Sequence, residues 1–327
     1  NDLQGHQETF SLNSTLAIGF KEELATPWLL TSVLPIHSRE NLRNLVSIER
    51  IQPYPALLLR KRSERALVVA DLHVGWEAPL TKKGVHVPSQ TPKILEKILQ
   101  LIETCNPTCL IFLGDVKHAI AKVRMEEWRD IPNFFEDLEK EVSDIRVVPG
   151  NHDGNLEPLL PKAVRILSST GEVFGDIGLF HGHAWPAPEL LGCRSLVTGH
   201  VHPMVIFRDP MGFRITRQVW VKATCNGDLL TKSLLQHLSV KANVNPSKML
   251  RDYFNIRFKV SQLLIMPSFN EFLGGQPINK RKMGKAARSR IFIGPVLRSG
   301  SINIDDAEAY LLNGTFLGTI DRLKNLS

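Results

Sequence analysis

Five times between Ala66 and Pro203 an apolar run stops abruptly and is followed at once by residues that bind metals or move protons. The stretches are ALVVADLHVG (66–75), CLIFLGDVKH (109–118), IRVVPGNHDG (145–154), IGLFHGH (177–183) and SLVTGHVHP (195–203). Short runs of β-branched and small apolar residues predict buried strands, so the polar residues beyond them fall at strand ends. In an open α/β sheet the carboxyl ends of strands meet at one crevice, and distant segments can build one site there. Seven of the eleven histidines lie at or just past these ends: His73, His118, His152, His181, His183, His200 and His202. Asp71-x-His73 alone is as consistent with a hydrogen-bonded turn as with a metal site; the recurrence shifts the balance. Gly114, Gly150 and Gly199 fit the same plan, because a residue without Cβ lets the backbone turn sharply beside a ligand.

The segments between these ends carry their own signals. Leu57–Leu59 and Ala66–Ala70 predict two strands joined by the charged turn RKRSER. A helix is predicted over 91–104, with Thr91 as cap, Pro92 at the first helical position and apolar residues at 94, 95, 98, 101 and 102. It links the strand ending at Asp71 to the one ending at Asp115, a βαβ crossover that implies parallel strands. A second helix, about 126–141, sets Trp128, Phe134, Phe135 and Leu138 along one stripe expected in the core. After residue 203 the period changes. Hairpins are predicted for Met204–Arg208 with Phe213–Val221 and, across Asn313-Gly314, for Ala309–Leu312 with Thr315–Ile320; Val260–Met266 gives another strand. Residues 229–258 are helical, broken at Asn245-Pro246, and 279–290 (NKRKMGKAARSR) hold six basic residues and no acidic one.

At 327 residues and 43% apolar, the chain can bury a full core. Its formal charge of +7 suits an acidic partner, a phosphorylated substrate or nucleic acid, and equally a solvated basic surface. No apolar run approaches the ~20 residues that cross a bilayer, and the start does not read as a signal peptide, so no membrane partner and a cytoplasmic location are expected. The four cysteines form no CxxC pair; Cys105 and Cys109 flank a helix-to-strand turn where burial as small apolar residues is the expectation.

The ordered set Asp71-x-His73, Gly114-Asp115-x-x-His118, Gly150-Asn151-His152-Asp153, His181 and Gly199-His200-x-His202 resembles the five motifs of the calcineurin-like metallophosphoesterases. From about Ile51 onward the chain is most similar to archaeal phosphoesterases related to the nuclease subunit SbcD, through GDVKH, HGHAWP, MPSFNEFLGG and DDAEAYLLNGTFLG. The resemblance implies a four-layer αββα sandwich of two mixed sheets flanked by helices. It also implies one domain over 51–327, with basic insertions near 229–258 and 279–290 and closing strands to 320, behind an N-terminal extension, 1–50, that carries no resemblance. By motif-by-motif carry-over Asp71, His73, Asp115 and His202 would hold one divalent ion, and Asp115, Asn151, His181 and His200 the other, with Asp115 as the bridge.

Phosphate esters repel a nucleophile, and two ions about 3.5–4 Å apart neutralise that charge while binding the attacking and leaving oxygens. Asn151 would add an oxygen ligand without charge, keeping the pair electrophilic enough to acidify a bound water. With no thiolate in the set, Mn²⁺, Fe²⁺ and Zn²⁺ all suit, and Mn²⁺ is the family expectation. His152 would be the general acid toward the leaving oxygen. The family phosphatases orient that histidine with an Asp where this chain has His118, an exchange that resembles the nuclease branch. A phosphodiesterase of nuclease-like character is therefore expected. Its alternatives are a nucleotide or small-molecule phosphatase or phosphodiesterase without a nucleic-acid role, and a non-catalytic scaffold. His183 and Asp153 are expected beside the substrate or behind the ligands.

Overall fold

The computed structural model describes residues 45–81, 83–209, 211–240, 245–280 and 293–326. The apolar stretch 27–35 and all but Asn279 and Lys280 of the basic run lie outside them. Two sheets carry the fold. The first has the order β1 (Ser47–Ile51), β2 (Ala56–Lys61), β3 (Glu64–Val69), β4 (Cys109–Phe112), β5 (Ile145–Val147) and β6 (Arg165–Ile166). Strands β1 to β3 are antiparallel, and β3, β4, β5 and β6 run parallel. The second sheet continues with β7 (Glu172–Phe174), β8 (Ile177–Phe180), β9 (Ser195–Thr198), β10 (Pro203–Arg208), β11 (Arg214–Cys225), β12 (Gln262–Ile265), β13 (Gln276–Pro277), β14 (Ile302–Leu311) and β15 (Phe316–Thr319). Its order is β13-β10-β11-β12-β9-β8-β7, with β14 on β11 and β15 on β14.

Alternating strand residues divide the interior into three apolar layers. Val68, Ile111 and Leu113 from the first sheet meet Leu179, Val197 and Trp220 from the second. On the outer face of the first sheet, Leu67, Leu110 and Phe112 pack under the helices α1 (Thr91–Cys105) and α2 (Met125–Glu139). On the far side, Val219, Val221 and Leu263 pack under α3 (Gly227–His237) and α4 (Pro246–Phe254). This is the αββα sandwich. Each layer depends on large buried side chains such as Phe135, and truncating one to Ala typically costs ~3–5 kcal/mol.

Several expectations need correction. Gln90, not Thr91, precedes the first helical turn of α1, and no side-chain hydrogen bond caps it. Trp128 is 47% exposed, because α2 buries the stripe Glu127, Ile131, Phe134, Phe135 and Leu138 and turns Trp128 away from it. Asn245 does more than break a helix: its side chain accepts from the Lys248 amide and starts α4. The late half is not all hairpins, since β9 runs parallel to both β8 and β12. Ser47–Arg50 already belong to the first sheet, paired with β2. All four cysteines are free, with Cys105 and Cys109 buried. No helix among the described residues is long and apolar enough to cross a membrane.

Candidate metal centre

The parallel pairing of β3 with β4 runs on past the strand ends. Asp71 N donates to Gly114 O (3.0 Å), His73 N to Asp115 O (2.9 Å) and Val74 N to Val116 O (2.8 Å), which ties the first two motifs together. Within these turns Asp71, His73, Asp115, His200 and His202 all have positive φ, between 45° and 68°. Asp and His tolerate that region better than most residues, yet each costs on the order of 1–3 kcal/mol and persists only where the surroundings impose it. The kinks turn both ends of each Asp-x-His or His-x-His inward. The glycines leave the room: a Cβ on Gly114 would strike the His181 ring, and one on Gly150 would strike the Asp115 carboxylate.

Six of the expected ligands gather into two groups, Asp71 with His73 and His202, and Asp115 with His181 and His200; within each the donor atoms lie within 4.8 Å of one another. The first sheet supplies Asp71, His73 and Asp115, and the second His181, His200 and His202. Asp115 Oδ2 stands 3.3 Å from His73 Nε2 and 3.5 Å from His181 Nε2, so it faces both groups. His202 Nε2 is 3.2 Å from Asp71 Oδ1. These three Nε2 atoms are buried, approach oxygens without hydrogen-bond alignment and have no partner among the described residues. Buried lone pairs and carboxylates aimed at shared space are what a pair of divalent cations requires.

The charges show the same mutual dependence. Burial disfavours the charged form of every member, but His202 and His181 hold Asp71 below the usual carboxylate range, and His181 and His73 do so for Asp115. His181 is raised to about 9, the attraction of Asp115 and Asp71 outweighing its burial. His200 lies in a position where burial and the charge of His181 bring it down to about 3.

Asn151 is exposed, and among the described residues no side-chain hydrogen bond joins it to either group. His152 sits beside the centre, its backbone N–H donating to Asp115 Oδ1 (2.8 Å) and its Nε2 3.9 Å from Asp115 Oδ2. The His118 ring does not orient His152. His152 Nδ1 instead pairs with the backbone carbonyl of His118, while the His118 ring turns to His73, Nδ1 to Nδ1 at 3.3 Å. Burial, then His73 and His152, push His118 down to about 4. His183 lies behind the second group, its ring centroid 5.3 Å from that of His181.

Asp153 is turned into the backbone of the second and third motifs. It is buried and accepts from the amides of Val116 (2.9 Å), Lys117 (3.2 Å) and Gly150 (2.8 Å), joining the second motif to the third. Burial and the nearby Asp115 raise it to about 6.

Residues outside the five strand-end motifs hold the candidate ligands in place. Glu127, fully buried on α2, accepts from the amides of His118 (3.1 Å), Ala119 (2.7 Å) and Arg124 (2.8 Å). Ser268 Oγ donates to Asp71 O (2.8 Å) and Asn270 Nδ2 to Leu72 O (2.9 Å), so the segment after β12 clamps the first motif. Both clamp residues lie in MPSFNEFLGG, a stretch the resemblance marks without giving it a role. Glu127→Ala orphans three amides, and at ~1–3 kcal/mol for each buried unsatisfied donor it is expected to lower unfolding free energy by several kcal/mol. Urea titration checks this; a change below ~1 kcal/mol would mean that water replaces the carboxylate.

Residues 64–209 match the family model for the calcineurin-like phosphoesterases. These residues form a calcineurin-like phosphoesterase domain. They contain all five strand-end motifs, and the domain is that of a metal-dependent phosphoester hydrolase. Among solved structures, the chain is similar to the nuclease MPE of Pseudomonas putida, at 18% identity over 82% of this chain and 98% of that one, with a TM-score of 0.44. It is also similar to Yfce, a phosphoesterase from E. coli, at 20% identity over 44% of this chain and 73% of that one (TM-score 0.29). A predicted phosphoesterase from Streptococcus pneumoniae TIGR4 aligns at 10% identity over 77% of this chain and 91% of that one (TM-score 0.25). No curated protein matches the sequence.

Proposed function

We propose that the protein is a two-metal phosphodiesterase of nuclease-like character, with the catalytic domain expected over 51–327 taking in Ser47–Arg50 as well. The observation that carries this is the pair of donor groups around Asp115, with three buried imidazole nitrogens aimed into them and no other partner. Asp71, His73, Asp115 and His202 would hold one ion, and Asp115, Asn151, His181 and His200 the other, Asn151 by rotating inward from its exposed position. The oxygen and imidazole donors suit Mn²⁺, Fe²⁺ and Zn²⁺ alike, and the family resemblance is what favours Mn²⁺. When bound, the ions would supply charge neutralisation for the phosphoryl oxygens and an acidified water.

The remaining chemistry belongs to the chain. His152, held at Nδ1 by the His118 carbonyl, presents Nε2 toward the centre, where it can steady a phosphoryl oxygen and give its proton to the leaving oxygen. The choice of a diester rests on residue type at His118. An imidazole there adds no negative charge beside His152, whereas a carboxylate would favour its cation, which suits the second negative charge of a monoester. The test is a substrate panel with added Mn²⁺: single- and double-stranded DNA, RNA, cyclic nucleotides and phosphomonoesters, with metal content measured in parallel. Diesters are expected to turn over faster than monoesters, with two ions per chain. Hydrolysis of monoesters alone, or full activity with one ion, would reject the proposal.

A further inference from the structure

Strand β10 starts directly after the ligand His202 and runs outward. Beyond Met204 its only strand partner is β11, since β13 reaches it only at Pro203 and Met204; the buried Asn279 side chain holds both backbone groups of Ile206, and past Ile206 nothing but β11 bonds its backbone among the described residues. Strand β11 in turn has no other neighbour before Val219. The outer end, Arg208 with Arg214–Arg217, is therefore an exposed two-stranded ribbon among the described residues, closed by a turn in which Asp209 N donates to Phe213 O and Asp209 Oδ1 accepts from Phe213 N. Such ribbons are marginal in water without a surface to cover them.

The ribbon's side chains are unusual for a segment left in water. Arg208 and Arg214 stand directly opposite each other on one face, and among the described residues neither pairs with a carboxylate. Like charges placed so are mutually destabilising. The one acidic residue between 203 and 218, Asp209, is occupied in closing the turn. At the tip Met211 is 83% and Phe213 66% exposed. An uncompensated basic pair with apolar tips calls for an anionic partner that offers both phosphates and flat apolar surface. A two-stranded ribbon also fits the major groove of a duplex.

We propose that the β10–β11 ribbon is a nucleic-acid-binding arm that enters a groove of a double-stranded substrate, with Arg208 and Arg214 on its phosphates. This names the substrate class of the proposed phosphodiesterase and rests on that proposal. Arg208 lies six residues past His202, about 20 Å at ~3.3 Å per residue, so the gripped phosphates fall about six nucleotides from the metal centre at ~3.4 Å per nucleotide of one strand.

The test uses the full chain and two probes, a fluorescent 30-base-pair DNA duplex and its single strand, with affinity measured by anisotropy across a salt series. Arg208→Gln with Arg214→Gln is expected to weaken duplex binding and to lower the slope of log affinity against log salt by ~0.9 for each lost phosphate contact, about 1.8 for two. Arg208→Lys with Arg214→Lys should keep most of the slope. An unchanged duplex slope in the Gln variant would overturn the proposal and leave the arginines as guards of a free sheet edge. So would a loss confined to the single strand. Hydrolysis of a small activated diester by the unaltered protein is measured alongside; its absence with intact duplex binding would reject the phosphodiesterase proposal while sparing the arm.

Discussion

Asp115→Asn is expected to cut turnover by ~10³-fold or more and to reduce metal content at both positions. The carboxylate faces both donor groups through one oxygen, Oδ2, with His73 Nε2 at 3.3 Å and His181 Nε2 at 3.5 Å. Ion binding at such a site contributes several kcal/mol to the transition state, and each 1.36 kcal/mol is tenfold in rate. The fold should survive, because the amide oxygen can still accept the His152 N–H that Asp115 Oδ1 accepts now. His202→Ala should behave differently: it belongs to one group only and should mainly weaken one ion. Elemental analysis beside steady-state kinetics decides. Two tightly held ions in the Asn variant, with turnover near normal, would remove Asp115 from the bridging position.

The second large effect concerns His152. Its replacement by Ala is expected to cost ~10²–10⁴ in turnover on a diester with a poor leaving group, with metal content retained. An activated aryl ester, whose leaving oxygen needs no proton, should lose much less. His118→Ala offers a finer comparison, because the group that orients His152 is the His118 carbonyl, which the substitution keeps. Only the ring beside His73 is lost. His118→Ala is therefore expected to be milder than His152→Ala, and to impair extended nucleic-acid substrates more than small activated ones. His118→Asp should raise monoesterase relative to diesterase activity. Equal, mild losses on both substrate types for His118→Ala would reduce that ring to packing.

The strand ends were legible in the sequence because a buried strand of four or so apolar residues has an unmistakable stop, and Asp71, Asp115 and His200 mark three of them. The crossover through α1 was legible from its period and from Pro92. What sequence could not resolve is direction within a few ångströms. That His118 would serve His152 through its carbonyl depends on a backbone path, not on a side-chain type. Trp128 misled because an apolar stripe of one residue in four is matched equally by Glu127, and burying a carboxylate there makes sense only once the three amides it accepts are seen. Glu127 carries no pattern of its own. The arm at β10–β11 was legible as a hairpin, but the exposure of its outer end depends on where β13, Asn279 and β14 stop covering it, which no local signal records.

The division of ligands between the sheets has a consequence for how the protein comes to life. Asp71, His73 and Asp115 hang from the first sheet, and His181, His200 and His202 from the second. Because β6 ends at Ile166 and β7 begins at Glu172, a chain nicked in that short connection would yield two halves, each bearing part of the centre and neither bearing all of it. Ion uptake is then a report that the two sheets have docked. On the proposed ligand assignment, a cation present during refolding would act as a clasp across the seam, rewarding only the assembled sandwich.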